Sequence, residues 1–336
     1  MAEGLRVGVI GAGAWGTALA QLMADNGARV NLWAYETEVV EQINGGENET
    51  YLPGIELSRN IRASGELAEV LKDRQLVLLV VPSHVMRQVI RRAAMHLPRA
   101  VPIVSASKGI ENDTLCTMSE VLEQELDIAY HPMLAFLSGP SFAREVAARH
   151  PTAVSVAARF EKVATEVQRM MSGPYFRVYT TTDVTGVELG GALKNVIAIA
   201  AGAAVGLGFG ANSQAALVTR GLAEITRLAV KMGANPLTLS GLSGMGDLVL
   251  TCYGGLSRNR TVGQKLGEGR KIDDILGGMK QVAEGVRTAK SVHQLAEREG
   301  VEMPICNSVY RMLYESLPPR QAVVELMSRK LKREIY

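Results

Sequence analysis

Hydrophobic and polar positions follow two different rhythms along this chain. In the first half, short apolar runs alternate with helical patterns. Residues 5–10 (Leu-Arg-Val-Gly-Val-Ile) predict a strand, 14–26 the helix after it, with Gly27 where a helix stop belongs, and 29–33 a second strand. Residues 76–81 are apolar throughout, as a parallel strand buried on both faces requires. Runs at 102–107, 134–137, 152–157 and 176–180 predict further strands, so the first half reads as a doubly wound parallel sheet of the α/β class.

After about residue 183 the strand-like runs stop, and helical patterns at 215–231, 287–299 and 321–330 stand between Gly-rich loops. At 336 residues two cores are expected. The division predicted is a sheet domain over 1–185 and an all-α domain over 186–336, with a cleft between them for a small ligand. The longest uncharged run, 196–211, is short for a membrane span and reads as a buried helix.

Composition works by exclusion. With 36 basic and 34 acidic residues, a net charge of +2 and 5% aromatics, no nucleic-acid surface is expected. Cys116, Cys252 and Cys306 are far apart, and neither they nor the scattered histidines show disulfide or metal-ligand spacing. A reducing cytoplasm is the expected setting, and no signal peptide is expected before the run that starts at Leu5. The apolar helical half offers surface for a homodimer.

The first candidate chemistry lies between the first strand and first helix, in Gly11-Ala12-Gly13-Ala14-Trp15-Gly16. In that context the motif predicts a dinucleotide-binding, Rossmann-type fold. Gly11 permits the tight turn, Gly13 lets backbone approach a pyrophosphate, and Gly16 allows close helix–sheet packing. N–H groups at the helix start then face the phosphates. The cofactor is left as NAD(P)H. In Asn31-Leu32-Trp33-Ala34-Tyr35-Glu36 no acid stands at the strand tip and no arginine clamps a 2′-phosphate, while Glu36 either reads a ribose or starts the next helix. Trp15 is either a cofactor contact or a core aromatic.

The second candidate is Lys194, in Glu188-Leu189-Gly190-Gly191-Ala192-Leu193-Lys194-Asn195. Its helical neighbours Gly190, Gly191, Ile197 and Ala198 include no carboxylate, and they predict an open volume beside the ammonium group. Each glycine costs about 1 kcal/mol in a helix relative to Ala, so two in succession need a reason. Lys194 either snorkels to solvent or works in the cleft, donating a proton to a carbonyl oxygen as hydride arrives.

Three further stretches suit an anion: Lys108-Gly109, Ser138-Gly139-Pro140-Ser141-Phe142-Ala143 and Ser257-Arg258-Asn259-Arg260. Together, the ordered segments GAGAWGTALA, SKG, LSGPSFA, ELGGALKN, TRGLAE, GLSGMGDLVLTC, SRNR and VAEGVRTA, running from Gly11 to Ala289, resemble bacterial-type NAD(P)-dependent glycerol-3-phosphate dehydrogenase.

The resemblance implies reversible reduction of dihydroxyacetone phosphate to sn-glycerol 3-phosphate, a phospholipid precursor. It makes Lys194 the proton donor and acceptor. It assigns substrate contacts to Lys108, Gly139, Ser141, Asp247, Ser257, Arg258 and Asn259. Cofactor contacts fall on Ala14, Trp15, Tyr35, Lys108, Ala143, Arg258, Val282 and Glu284. Two positions depart from the family's commoner pattern: Ala14 where serine is frequent, and Tyr35 where arginine or histidine is frequent. Asp247 is open to a second reading as a helix cap, and Glu284 shares that ambiguity. Two rivals stand beside this one: a two-domain dehydrogenase of hydroxy acids, and a non-catalytic NAD(P)H-binding regulator.

Overall fold

The computed structural model describes residues 4–279, 283–331 and 333–334, which leaves Val282 outside the described residues. Eight strands form one sheet: β1 (Arg6–Ile10), β2 (Arg29–Trp33), β3 (Ile61–Ser64), β4 (Leu76–Leu79), β5 (Ile103–Ser105), β6 (Leu134–Ser138), β7 (Thr152–Ala158) and β8 (Phe176–Thr181). Their order is β3-β2-β1-β4-β5-β6-β7-β8. The helices of the sheet half are α1 (Ala14–Asp25), α2 (Thr37–Asn44), α3 (Leu67–Leu71), α4 (Ser83–Ala93), α5 (Met118–Glu125), α6 (Ala143–Ala147) and α7 (Glu161–Met171). Beyond them lie α8 (Val184–Gly206), α9 (Ala211–Lys231), α10 (Pro236–Leu239), α11 (Asp247–Tyr253), α12 (Arg258–Gly267), α13 (Ile272–Gly277), α14 (Glu284–Glu299), α15 (Pro304–Tyr314) and α16 (Pro319–Met327).

The first six strands are parallel, and the order reverses between β1 and β4, the switch point where such sheets bind ligands. Every residue of β4 is buried, which accounts for its unbroken apolar run. Two features differ from the sequence expectation. β3 is an additional edge strand, with only Ile61 and Ala63 turned inward. β7 runs antiparallel to β6, because the chain between them holds only the short α6 and cannot make a full crossover; α7 then returns it parallel into β8.

The helical half is organised around α8, which is long and apolar enough to cross a membrane, with mean hydropathy 1.5, yet 89% buried within the fold. Helices α9, α11, α12 and α14 pack around it. Leu193, Val196, Ile197 and Ile199 are fully buried, each burial stabilising the fold by about 2 kcal/mol. Against α12 the packing is backbone to backbone. A Cβ on Gly202 would sit 2.0 Å from the Arg260 carbonyl oxygen, on Gly206 2.1 Å from that of Gln264, and on Gly263 1.9 Å from that of Ile199.

Candidate active site

Lys194 comes from the middle of α8 and is only 7% exposed, so it does not snorkel. Its Nζ donates to Thr251 Oγ1 at 2.8 Å and pairs with Asp247 Oδ1 at 2.9 Å. Lys108, reached from the C-terminal end of β5, donates to the other oxygen, Asp247 Oδ2, at 2.6 Å and to the Gly139 carbonyl at 3.1 Å. One carboxylate that is 1% exposed therefore joins a lysine of the sheet half to a lysine of the helical half. Burial pulls the Lys108 ammonium below the ordinary lysine range, and Lys194 pushes the same way, while Asp247 opposes both.

The delivery of Asp247 explains the paired glycines. The π-helical turn Leu242–Gly246 lies on α8 so closely that a Cβ on Gly190 would stand 2.5 Å from the Ser243 carbonyl oxygen. A Cβ on Gly191 would stand 2.4 Å from Ser138 Oγ and 3.6 Å from Lys108 Cγ. The expected open volume beside these glycines is thus filled by protein. The same close approach carries Asp247, first residue of α11, onto the two lysines. It stands one residue inside the helix, after the N-cap Gly246, and its carboxylate oxygens take Lys108 and Lys194.

Thr251 escaped the sequence reading. It lies one helical turn beyond Asp247, donates its hydroxyl proton to the Asp247 carbonyl at 2.6 Å and accepts from Lys194. The Asp-x-x-x-Thr spacing within GLSGMGDLVLTC is the signal that could have found it. Cys252, beside it, has its thiol pushed up to about 12 by burial and is no nucleophile at neutral pH.

The residues expected at the substrate divide. Gly139 has φ +144, and Ser141 Oγ donates to its carbonyl at 3.0 Å, which shapes the turn beside Lys108. Ser257 caps α12, its hydroxyl oxygen accepting from Arg260 N at 3.2 Å. Asn259 donates to Asn195 at 2.9 Å and accepts from Gly285 N at 2.9 Å, tying α12 to α8 and to the start of α14. Arg258, at the exposed first position of α12, acts electrostatically on Glu284, the first residue of α14. Burial raises the Glu284 carboxyl, opposed by Arg258, Lys194 and Lys108.

The glycine turn fits a dinucleotide pyrophosphate. Gly11 has φ +115, and a Cβ there would stand 2.6 Å from the Val80 carbonyl oxygen, whereas a Cβ on Gly16 would meet the Gly11 carbonyl at 1.8 Å. Gly13 faces open space and begins α1 without a side-chain cap, so the helix start is free to take an anion. Ala14, Trp15 and Ala143 gather around Leu52 and Ala147. Trp15 also packs on the sheet core, and its buried Nε1 has no partner among the described residues. Tyr35 is 77% exposed just past β2, edge-on to Trp33. Glu36 stands at the start of α2 and accepts from Tyr51 Oη at 2.8 Å. A cavity of about 890 Å³ between residues 43–47, 54–59 and β3 contains none of these residues.

Comparison with known proteins agrees with this architecture. Residues 6–164 match the sequence profile of the NAD-dependent glycerol-3-phosphate dehydrogenase N-terminus, and residues 183–324 that of its C-terminus. A protein of Myxococcus xanthus named glycerol-3-phosphate dehydrogenase (NAD(P)+) is 58% identical over 98% of this chain and 99% of its own. One of Anaeromyxobacter dehalogenans with the same name is 56% identical over 98% of this chain and 100% of its own. The crystal structure of glycerol-3-phosphate dehydrogenase from Coxiella burnetii superposes with a TM-score of 0.91 at 40% identity, covering 97% of this chain and 99% of that one. The chain belongs to the family of NAD-dependent glycerol-3-phosphate dehydrogenases.

Proposed function

We propose that this chain catalyses the reversible reduction of dihydroxyacetone phosphate to sn-glycerol 3-phosphate with NAD(P)H, feeding glycerophospholipid synthesis in the cytoplasm. The observation that carries it is Lys194, buried in α8 and held with Lys108 on the single carboxylate of Asp247. Residues 1–185 are the cofactor domain and 186–336 the substrate domain of this reading.

When bound, NAD(P)H would supply the hydride that the ketone carbon takes up. Lys194 gives a proton to the carbonyl oxygen as negative charge develops there, and ends as a neutral amine; in the reverse direction it takes the hydroxyl proton. Asp247 and Thr251 fix the direction of the Lys194 Nζ, so orientation is settled before substrate enters. Lys108 adds positive charge near the reacting oxygen, and Gly139 and Ser141 shape the wall beside it. The phosphate is held by Ser257, Arg258 and Asn259 at the N-terminal end of α12, where the helix dipole favours an anion.

On the cofactor side, Gly11, Gly13 and Gly16 shape the pyrophosphate seat, and Ala14, Trp15 and Ala143 line it. Tyr35 lies toward the adenosine end, and Lys108, Arg258 and Glu284 toward the substrate end. A spectrophotometric assay with dihydroxyacetone phosphate, run separately with NADH and NADPH, tests the proposal. Unphosphorylated dihydroxyacetone is expected to be a far poorer substrate. Absence of NAD(P)H oxidation with the phosphorylated ketone overturns the reading.

A further inference from the structure

Asn48 lies in the loop between α2 and β3, outside every motif that pointed to the cofactor. Its side chain is fully buried, at 0% exposure. Three hydrogen bonds hold it. Nδ2 donates to the Ala12 carbonyl at 2.9 Å and to Thr17 Oγ1 at 2.8 Å, while Oδ1 accepts from Tyr51 N at 3.1 Å. Thr17 Oγ1 in turn donates to the same Ala12 carbonyl at 3.1 Å. Two side-chain donors from different parts of the chain thus converge on one carbonyl oxygen inside the glycine turn.

A planar trans peptide points its N–H opposite to its C=O. Holding the Ala12 carbonyl against Asn48 and Thr17 therefore aims the Gly13 N–H the other way, toward the open side of the turn. Glycine on one side of this peptide makes its orientation easy to change. Released, the peptide can turn and present a carbonyl oxygen where the phosphates need a donor. We propose that Asn48 is a positioning residue for the dinucleotide: it locks the Ala12–Gly13 peptide in the anion-binding orientation before cofactor arrives.

The surrounding loop strengthens this role. Tyr51, whose N–H fixes the Asn48 side chain, donates its hydroxyl proton to Glu36 at the start of α2. Leu52 packs on Ala18 and Ala147, beside Ala14, Trp15 and Ala143. One short segment thus braces the pyrophosphate turn, the first turn of α1 and the corner where the adenosine ribose is read in folds of this kind.

The inference rests on the glycine turn being the pyrophosphate seat, and two variants separate the two ideas. Gly13→Val places a side chain in open space at an ordinary backbone conformation, so it should fold and lose NADH binding. Asn48→Ala leaves Thr17 as the sole side-chain donor to the carbonyl. Loss of one such buried hydrogen bond predicts an NADH Kd raised about tenfold, by fluorescence titration, with kcat at saturation and KM for dihydroxyacetone phosphate changed less than about twofold. Asn48→Asp, which keeps the volume and the Tyr51 contact but turns a carboxylate toward the carbonyl, should bind NADH more weakly still. Should Asn48→Ala not fold, Thr17→Val removes the other donor and predicts a rise of about threefold. An unchanged NADH Kd in a folded Asn48→Ala or Asn48→Asp variant, with Gly13→Val defective, overturns the role of Asn48 alone. Intact NADH binding in Gly13→Val overturns the seat itself.

Discussion

Lys108 and Lys194 donate to opposite oxygens of one buried carboxylate, at 2.6 and 2.9 Å. Two like charges are held together by Asp247, and neither lysine can reorient without disturbing the other's partner. Such a unit resists change in geometry while leaving net positive charge, which suits an anionic substrate.

Lys194→Ala is expected to lower kcat by about 10²- to 10⁴-fold, the range for losing a positioned proton donor. NADH affinity, measured by fluorescence titration, should stay within about twofold, because Lys108 still holds Asp247. Near-normal kcat would remove Lys194 from the mechanism.

Asp247→Asn leaves two buried ammonium groups without their carboxylate, and urea unfolding should register a loss of about 3 kcal/mol together with lost activity. Adding Lys194→Met removes one of the two charges. The double variant should recover part of the stability and none of the turnover; no recovery would show that charge balance is not what Asp247 provides.

The paired glycines give a sharper contrast. A methyl group at Gly190 meets the Ser243 backbone oxygen at 2.5 Å, and backbone must move; at Gly191 it meets the Ser138 hydroxyl, which can rotate away. Gly190→Ala should cost about 2–3 kcal/mol and depress kcat by displacing Asp247. Gly191→Ala should cost under about 1.5 kcal/mol and act mainly on KM for dihydroxyacetone phosphate. Equal effects at the two positions would contradict the packing.

Much of this arrangement was legible in the sequence, and the losses have physical causes. The glycine turn and the buried strands announced themselves because local spacing dictates them. β3 did not, since an edge strand with two inward residues has almost no pattern to read. The direction of β7 depends on how far a short connection reaches, which is a tertiary matter. Lys194 was legible as a lysine with no carboxylate among its helical neighbours, but its partner comes from another helix. Asn48 stayed hidden for the same reason, since its side-chain contacts run to Ala12 and Thr17 far along the chain, and Thr251 had only its local spacing from Asp247 to announce it.

A second buried acid predicts the pH dependence of stability. Glu224, in α9, accepts from Ile305 N and Cys306 N at the start of α15, with Arg227 and the Cys306 thiol near it, and burial pushes its carboxyl up to about 7. An acid holding its proton more tightly in the fold than in the unfolded chain stabilises below about 4.5 and loses that contribution as pH climbs through about 7. Glu188, also raised to about 7 by burial, acts in the same direction. Glu224→Gln should therefore show a flatter fall of Tm between about pH 5 and 7 than the parent protein; identical slopes would place the titration elsewhere.

The joint between α8 and α12 carries a consequence for evolution. Along Gly202, Gly206 and Gly263 the two helices meet main chain to main chain. Side chains can be exchanged for one another, but a main-chain joint offers no rotamers through which a neighbour can adapt. The span from Lys194 on one helix to the proposed phosphate handle on the other is therefore a caliper locked at a single opening. Point changes around it can alter how strongly a three-carbon phosphate is gripped, whereas measuring out a longer ketone would demand a different pair of helices.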